Sequence, residues 1–145
     1  MGQQARHPVS SAQKLGVVMG SWPRRISAIT LFVEDLPAAM RFYQDVFGFP
    51  VGYQDESSAV FDFGNTIINL LAASAAPELI APAPVGAADA DARMQLTIEV
   101  EDVDRVCALL AARGVELLNG PMDRPWGVRT ASFIDPGGHI WEIAK

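Results

Sequence analysis

Val33-Glu34-Asp35-Leu36 returns farther along the chain as Val100-Glu101-Asp102-Val103. Both copies close a strand-like run of alternating apolar residues. In residues 26–33, Ile29, Leu31 and Val33 share one face while Ala28, Thr30 and Phe32 share the other. In residues 95–100, Leu96, Ile98 and Val100 repeat the first face, leaving Gln95, Thr97 and Glu99 opposite. Both copies also open a helix. Asp35 and Asp102 stand where an N-cap carboxylate takes up a free backbone N–H, and Pro37 suits a first turn, where its missing N–H costs nothing. Leu36, Met40, Tyr43 and Phe47 recur at helical spacing in one, Val103, Val106, Cys107 and Leu110 in the other, with Gly48 and Gly114 as left-handed stops. A repeat of this length indicates one supersecondary unit duplicated, its copies burying each other's apolar faces.

Three short strands are expected after each helix. Residues 51–54, 59–63 and 66–71 complete the first unit, with a turn at Gly64-Asn65. Residues 115–118, 128–134 and 139–143 complete the second, with Asp135-Pro136-Gly137-Gly138 as the last hairpin turn. The fold class is therefore α+β, built from two βαβββ modules, residues 26–71 and 94–145. Between them, residues 72–93 place Pro77, Pro82 and Pro84 among alanines and acidic residues, which suits neither a helix interior nor a strand. That stretch reads as a linker, with Glu78-Leu79-Ile80 free to pack locally or to close over a site. Residues 1–25 read as a flexible N-terminal tail before a single domain.

Composition narrows the partners. The chain has 145 residues, 50% hydrophobic and 19% charged, which suits one globular domain with its own core. A net charge of −6, with no basic cluster beyond Arg24-Arg25, argues against a nucleic-acid partner. No run approaches the roughly 18 apolar residues of a membrane span, and Lys14 to Met19 is too short for a secretory apolar region. A cytoplasmic location is expected. Lone Cys107 forms no internal disulfide, suits a reducing compartment, and at an apolar helical position reads as core before nucleophile.

Three further stretches carry a family resemblance: Phe42-Tyr43-Gln44-Asp45-Val46-Phe47-Gly48-Phe49, Thr97-Ile98-Glu99-Val100-Glu101-Asp102-Val103, and Phe133-Ile134-Asp135-Pro136-Gly137-Gly138-His139-Ile140-Trp141-Glu142. Together with the first strand they resemble the vicinal oxygen chelate superfamily. That group holds glyoxalase I, ring-cleaving extradiol dioxygenases, fosfomycin-resistance enzymes and bleomycin-resistance binding proteins. The resemblance runs from residue 26 to the C-terminus and is far more specific for fold than for function. It implies paired βαβββ modules forming half-barrels, commonly assembled as a homodimer with sites in the clefts.

In metal-dependent members of that superfamily, ligands come from four strand positions, which by motif fall on Ala28, Asn69, Gln95 and Glu142. Only Glu142 keeps a strong ligand type. Gln95 is a weak oxygen donor and Ala28 offers none. The dioxygenase pattern needs two histidines and a carboxylate, whereas His7 and His139 match no ligand position. No metal or other cofactor is therefore expected, a divalent metal entering only if the chain is a glyoxalase-type enzyme.

If the first strands of the two modules pair across the pseudo-twofold, their second faces meet in one concavity of small, amide and aromatic groups with a single carboxylate. Such a lining makes a binding pocket more readily than a metal cage. Glu142 is the candidate catalytic residue, since a carboxylate in an apolar cleft suits general acid or base work; the plainer reading is a partly solvated strand carboxylate. Asn69 and Gln95 are candidate ligand-binding amides, able to donate and accept, or to satisfy each other. Trp126 and Arg129 resemble a family loop at the cleft mouth, where an indole stacks on a planar ligand and a guanidinium holds an anion. Sealing the barrel edge and pairing with an acidic neighbour are their structural alternatives. Phe32 and Phe63 complete the candidate lining. The expected function is metal-independent binding of a small-molecule ligand in the cleft, as in bleomycin-resistance-type proteins, by a homodimer without nucleic-acid or membrane partners. The alternatives are a glyoxalase-type lyase or isomerase or a dioxygenase, metal-dependent or using Glu142, and a module that binds only other proteins.

Overall fold

The computed structural model describes residues 22–145, so the expected tail lies outside the described residues up to position 21, and residues 22–25 are exposed without regular structure. Module one contains β1 (Ala28–Val33), α1 (Leu36–Val46), β2 (Tyr53–Gln54), β3 (Ser58–Asp62) and β4 (Ile67–Ala72). A 3-10 turn (Ala73–Ala75) and the short helix α2 (Pro77–Ile80) follow. Module two contains β5 (Gln95–Glu99), α3 (Val103–Ala112), β6 (Leu117–Asp123), β7 (Arg129–Ile134) and β8 (Ile140–Ala144). Each module forms its own four-stranded sheet, in the order β1-β4-β3-β2 and β5-β8-β7-β6. In both, the first strand runs parallel to the last and the remaining pairs are antiparallel. The fold is the expected α+β pair of βαβββ modules, with open sheets.

Local chemistry explains the boundaries. The Asp35 carboxylate accepts from the Ala38 N–H at 3.0 Å and Asp102 from the Arg105 N–H at 3.1 Å, each supplying a partner that the first helical turn lacks. Gly48 and Gly114 take φ of 76° and 80°, a left-handed conformation costly for other residues, and so end the two helices. Two strands differ from expectation. The Val115 N–H still closes the helix end by donating to the Leu110 carbonyl at 2.9 Å, so β6 starts only at Leu117; it then runs to Asp123 through two register shifts. β2 is reduced to Tyr53–Gln54. The linker also differs, because Pro77 sits in the first turn of α2, where a helix tolerates it.

The apolar faces of the two modules share one core. Leu31, Leu70 and Ala59 lie side by side on sheet one; Ile98, Ile143 and Ala131 do so on sheet two. Both rows belong to or pack on a single cluster that also holds Leu36, Tyr43, Val103 and Leu110 from the helices. Aromatic rings knit the modules together, with Tyr43 and Phe47 of module one 5.9 and 5.0 Å from Trp141 of module two. Burying one such large side chain stabilises the fold by roughly 1.5–3 kcal/mol, so this cluster dominates the energy holding the halves together. The Arg113 guanidinium adds a polar tie by donating to the Val46 carbonyl.

Candidate functional site

The core-facing sides of both sheets share one cluster. β1 and β5 are the edges of separate sheets, hydrogen-bonded to β4 and β8 and not to one another. The chain alone therefore does not form the concavity expected from their pairing. On the second face of module one, Thr30 stands beside Asn69; on that of module two, Thr97 stands beside Glu142. The Asn69 amide donates to the Thr30 hydroxyl at 3.5 Å, is wholly buried, and leaves its own carbonyl oxygen without a partner. The Thr97 hydroxyl donates to the half-buried Glu142 carboxylate at 2.9 Å. Gln95, Thr97 and Glu99 on β5 are exposed.

A cleft of about 380 Å³ opens where the two modules adjoin. Ile29 and Ile68 of module one face Leu96 and Ile98 of module two across it, with Phe63 and Trp141 also in its wall. Phe63 stacks on Trp141 at 5.5 Å and meets Phe49 edge-on at 4.8 Å. Thr66, Thr97 and Glu99 supply polar lining. A volume of this size suits a small organic molecule. Phe63 is the sequence candidate that this cleft recruits; Asn69, Gln95 and Glu142 do not line it.

The other candidates lie elsewhere. Arg129 forms ion pairs with Asp104 at 2.9 Å and Asp123 at 3.1 Å, and hydrogen bonds to both carboxylates hold its guanidinium protonated beyond its usual range. Trp126 is 70% exposed in the β6–β7 turn. Phe32 lines a separate hollow of about 250 Å³ with linker residues 85–88 and the turn at 137–139. The linker is seated there. The Ala88 N–H donates to Glu34 at 3.2 Å, and a Cβ at Gly138 would strike the Ala88 carbonyl.

In the sequence Asp135 reads as a turn residue; in the structure it is a buried hub as well. Its carboxylate accepts from the Tyr43 hydroxyl at 2.7 Å, the Trp141 indole at 3.3 Å, and the backbone N–H groups of Gly137 and His139, both at 2.9 Å. His139 Nδ1 lies 3.1 Å away. Burial alone would push this carboxyl up, but the hydrogen bonds and charge of His139, with the Tyr43 hydroxyl, outweigh it and hold the pKa below the ordinary range. Tyr43 is pushed up, first by burial and then by the Asp135 charge. A signal for this was available: a tyrosine on a buried helical stripe needs a partner for its hydroxyl. Cys107 is buried in the core, and burial followed by the Asp104 charge raises its thiol pKa, which suppresses reactivity.

The donor set does not fit a catalytic metal. Of the four implied positions, Ala28 carries a methyl, Asn69 is buried against Thr30, Gln95 is an amide, and Glu142 is one carboxylate held by Thr97. Among the described residues no group of three or more His, Cys, Asp or Glu is arranged to hold an ion.

The sequence profile of the Glyoxalase/Bleomycin resistance protein/Dioxygenase superfamily matches residues 25–143. The chain is 33% identical over 125 residues to the uncharacterized protein YraH of Bacillus subtilis (strain 168), covering 83% of this chain and 98% of that one. Its structure is similar to that of a glyoxalase/bleomycin resistance protein/dioxygenase from Nocardioides, with a TM-score of 0.71 and 27% identity over 92% of this chain and 88% of that one. A glyoxalase-related enzyme from Fulvimarina pelagi matches with a TM-score of 0.73 and 26% identity, covering 84% and 88%. With profile, sequence and fold in agreement, the chain belongs to the glyoxalase/bleomycin resistance protein/dioxygenase superfamily.

Proposed function

We propose that this protein binds a small organic molecule without a metal, in the manner of bleomycin-resistance-type members, and holds it in the cleft between its modules. The observation that carries the reading is the cleft itself, whose apolar walls come from both halves and include the Phe63–Trp141 stack. The poor donor set at the four implied metal positions supports it further. The protein acts as a homodimer on this reading, as the resemblance to the superfamily implies. No helix among the described residues is long and apolar enough to cross a membrane, and the single core thiol suits a cytoplasmic protein.

A catalytic reading, glyoxalase-type or dioxygenase-like, rests on Glu142, whose carboxylate stands half-buried beside one hydroxyl donor. Elemental analysis of protein purified without chelator, combined with native mass spectrometry and ligand titration, separates the two. The Trp22→Phe/Trp126→Phe variant leaves Trp141 as the sole indole, reporting from the cleft wall. Substoichiometric metal and one ligand per chain that shifts Trp141 emission are expected. Stoichiometric divalent metal whose removal abolishes ligand binding overturns the reading.

A further inference from the structure

The inter-module cleft does not end at Thr66. A second hollow, about 420 Å³ in volume, shares Ile29, Asn65 and Thr66 with it, so the two adjoin along a groove at those residues. Charge is confined to the unshared parts of that groove. Among the described residues, Glu99 is the only charged one lining the cleft, and Arg24 and Arg25 are the only ones lining the second hollow. None of the three takes part in the ion pairs found among the described residues, which involve Arg129 and His139. At the shared middle Ile29 offers an apolar surface beside the polar Asn65 and Thr66, with Phe63 and Trp141 on the Glu99 side.

We infer that the groove takes an elongated zwitterion, with an ammonium group at Glu99, an anionic group at Arg24 and Arg25, and an apolar body along Ile29. The inference rests on the cleft being the ligand site and adds the chemical class of the ligand. Each terminal contact is solvent-exposed and modest by itself. Selectivity comes from combination: a dication meets the arginines and a dianion meets Glu99, so both mismatches are repelled, while the uncharged analogue gains burial alone.

The test uses 8-aminooctanoate, octylamine, octanoate and 1-octanol, which share one carbon chain and differ in their ends. Each is titrated into the full chain carrying Trp22→Phe and Trp126→Phe, reading Trp141 emission. The zwitterion is expected to bind about tenfold tighter than either singly charged probe. Glu99→Gln erases its advantage over octanoate, Arg24→Ala/Arg25→Ala erases its advantage over octylamine, and Glu116→Gln, outside the groove, changes neither. All these positions are exposed, and circular dichroism verifies folding. Octanol or octylamine binding as tightly as the zwitterion, or a ranking untouched by Glu99→Gln, overturns the zwitterion and leaves the cleft reading standing. Absence of any emission or NMR shift with all four probes overturns both.

Discussion

The Thr30–Asn69 pair of module one and the Thr97–Glu142 pair of module two hold the same place in the repeat, on the first and last strands of their sheets, side by side across a parallel ladder. Their surroundings differ. Asn69 is fully buried with an orphaned carbonyl oxygen, whereas Glu142 is half-buried beside an exposed threonine. Duplication preserved the register and let solvent access diverge, so module one tolerates an unsatisfied amide inside while module two presents a carboxylate to the outside. The hairpins diverge in the same sense. Module one turns through Gly64-Asn65 with the exposed Asp62 bonding the Gly64 N–H at 2.7 Å; module two turns beside the buried Asp135.

The largest effect is expected at that second contrast. Asp135→Asn replaces an acceptor ringed by donors with a group that must itself donate, and should cost about 3 kcal/mol in urea unfolding, whereas Asp62→Asn should be nearly silent; equal effects would mean that the hub does not distinguish the modules. The pH dependence comes next. The folded pKa of Asp135 lies below its unfolded value, so its stabilisation is fully present above about pH 4 and is lost as pH falls through the lower folded value. Urea midpoints at descending pH should therefore fall for the wild type and flatten for Asp135→Asn. Asn69→Leu removes the orphaned acceptor and should raise stability by about 1 kcal/mol. Glu142→Gln, which keeps an acceptor for Thr97, should move stability by less than about 0.5 kcal/mol. A loss at Asn69 would show that its amide has a partner after all. Arg129→Ala should have the smallest effect, an almost unchanged urea midpoint, because its ion pairs are exposed and screened.

What could be read from sequence was whatever local chemistry decides. The Asp35 and Asp102 caps, the glycine stops and the alternation of Leu31 and Ile98 against Thr30 and Thr97 each depend on neighbours within a few residues, and each is present. Contacts between distant segments were not legible. Which sheet faces meet depends on packing across the whole chain, and the pairing of β1 with β5 on which the shared concavity is conditional is absent from the single chain. Phe63, a candidate for the lining, does line the cleft, and it also packs on the aromatic cluster through Phe47. The pairing of Arg129 with Asp104 required knowing that the start of α3 comes alongside β7.

The single core shared by both modules has a consequence for how the chain is held together. With Tyr43 reaching Asp135 and the rings of Phe47 and Trp141 in contact, the halves behave as two unlike subunits that happen to be encoded in tandem. The tether between them then contributes chiefly local concentration. Severing the exposed stretch at residues 81–84 should leave a complex that survives at high protein concentration and falls apart on dilution.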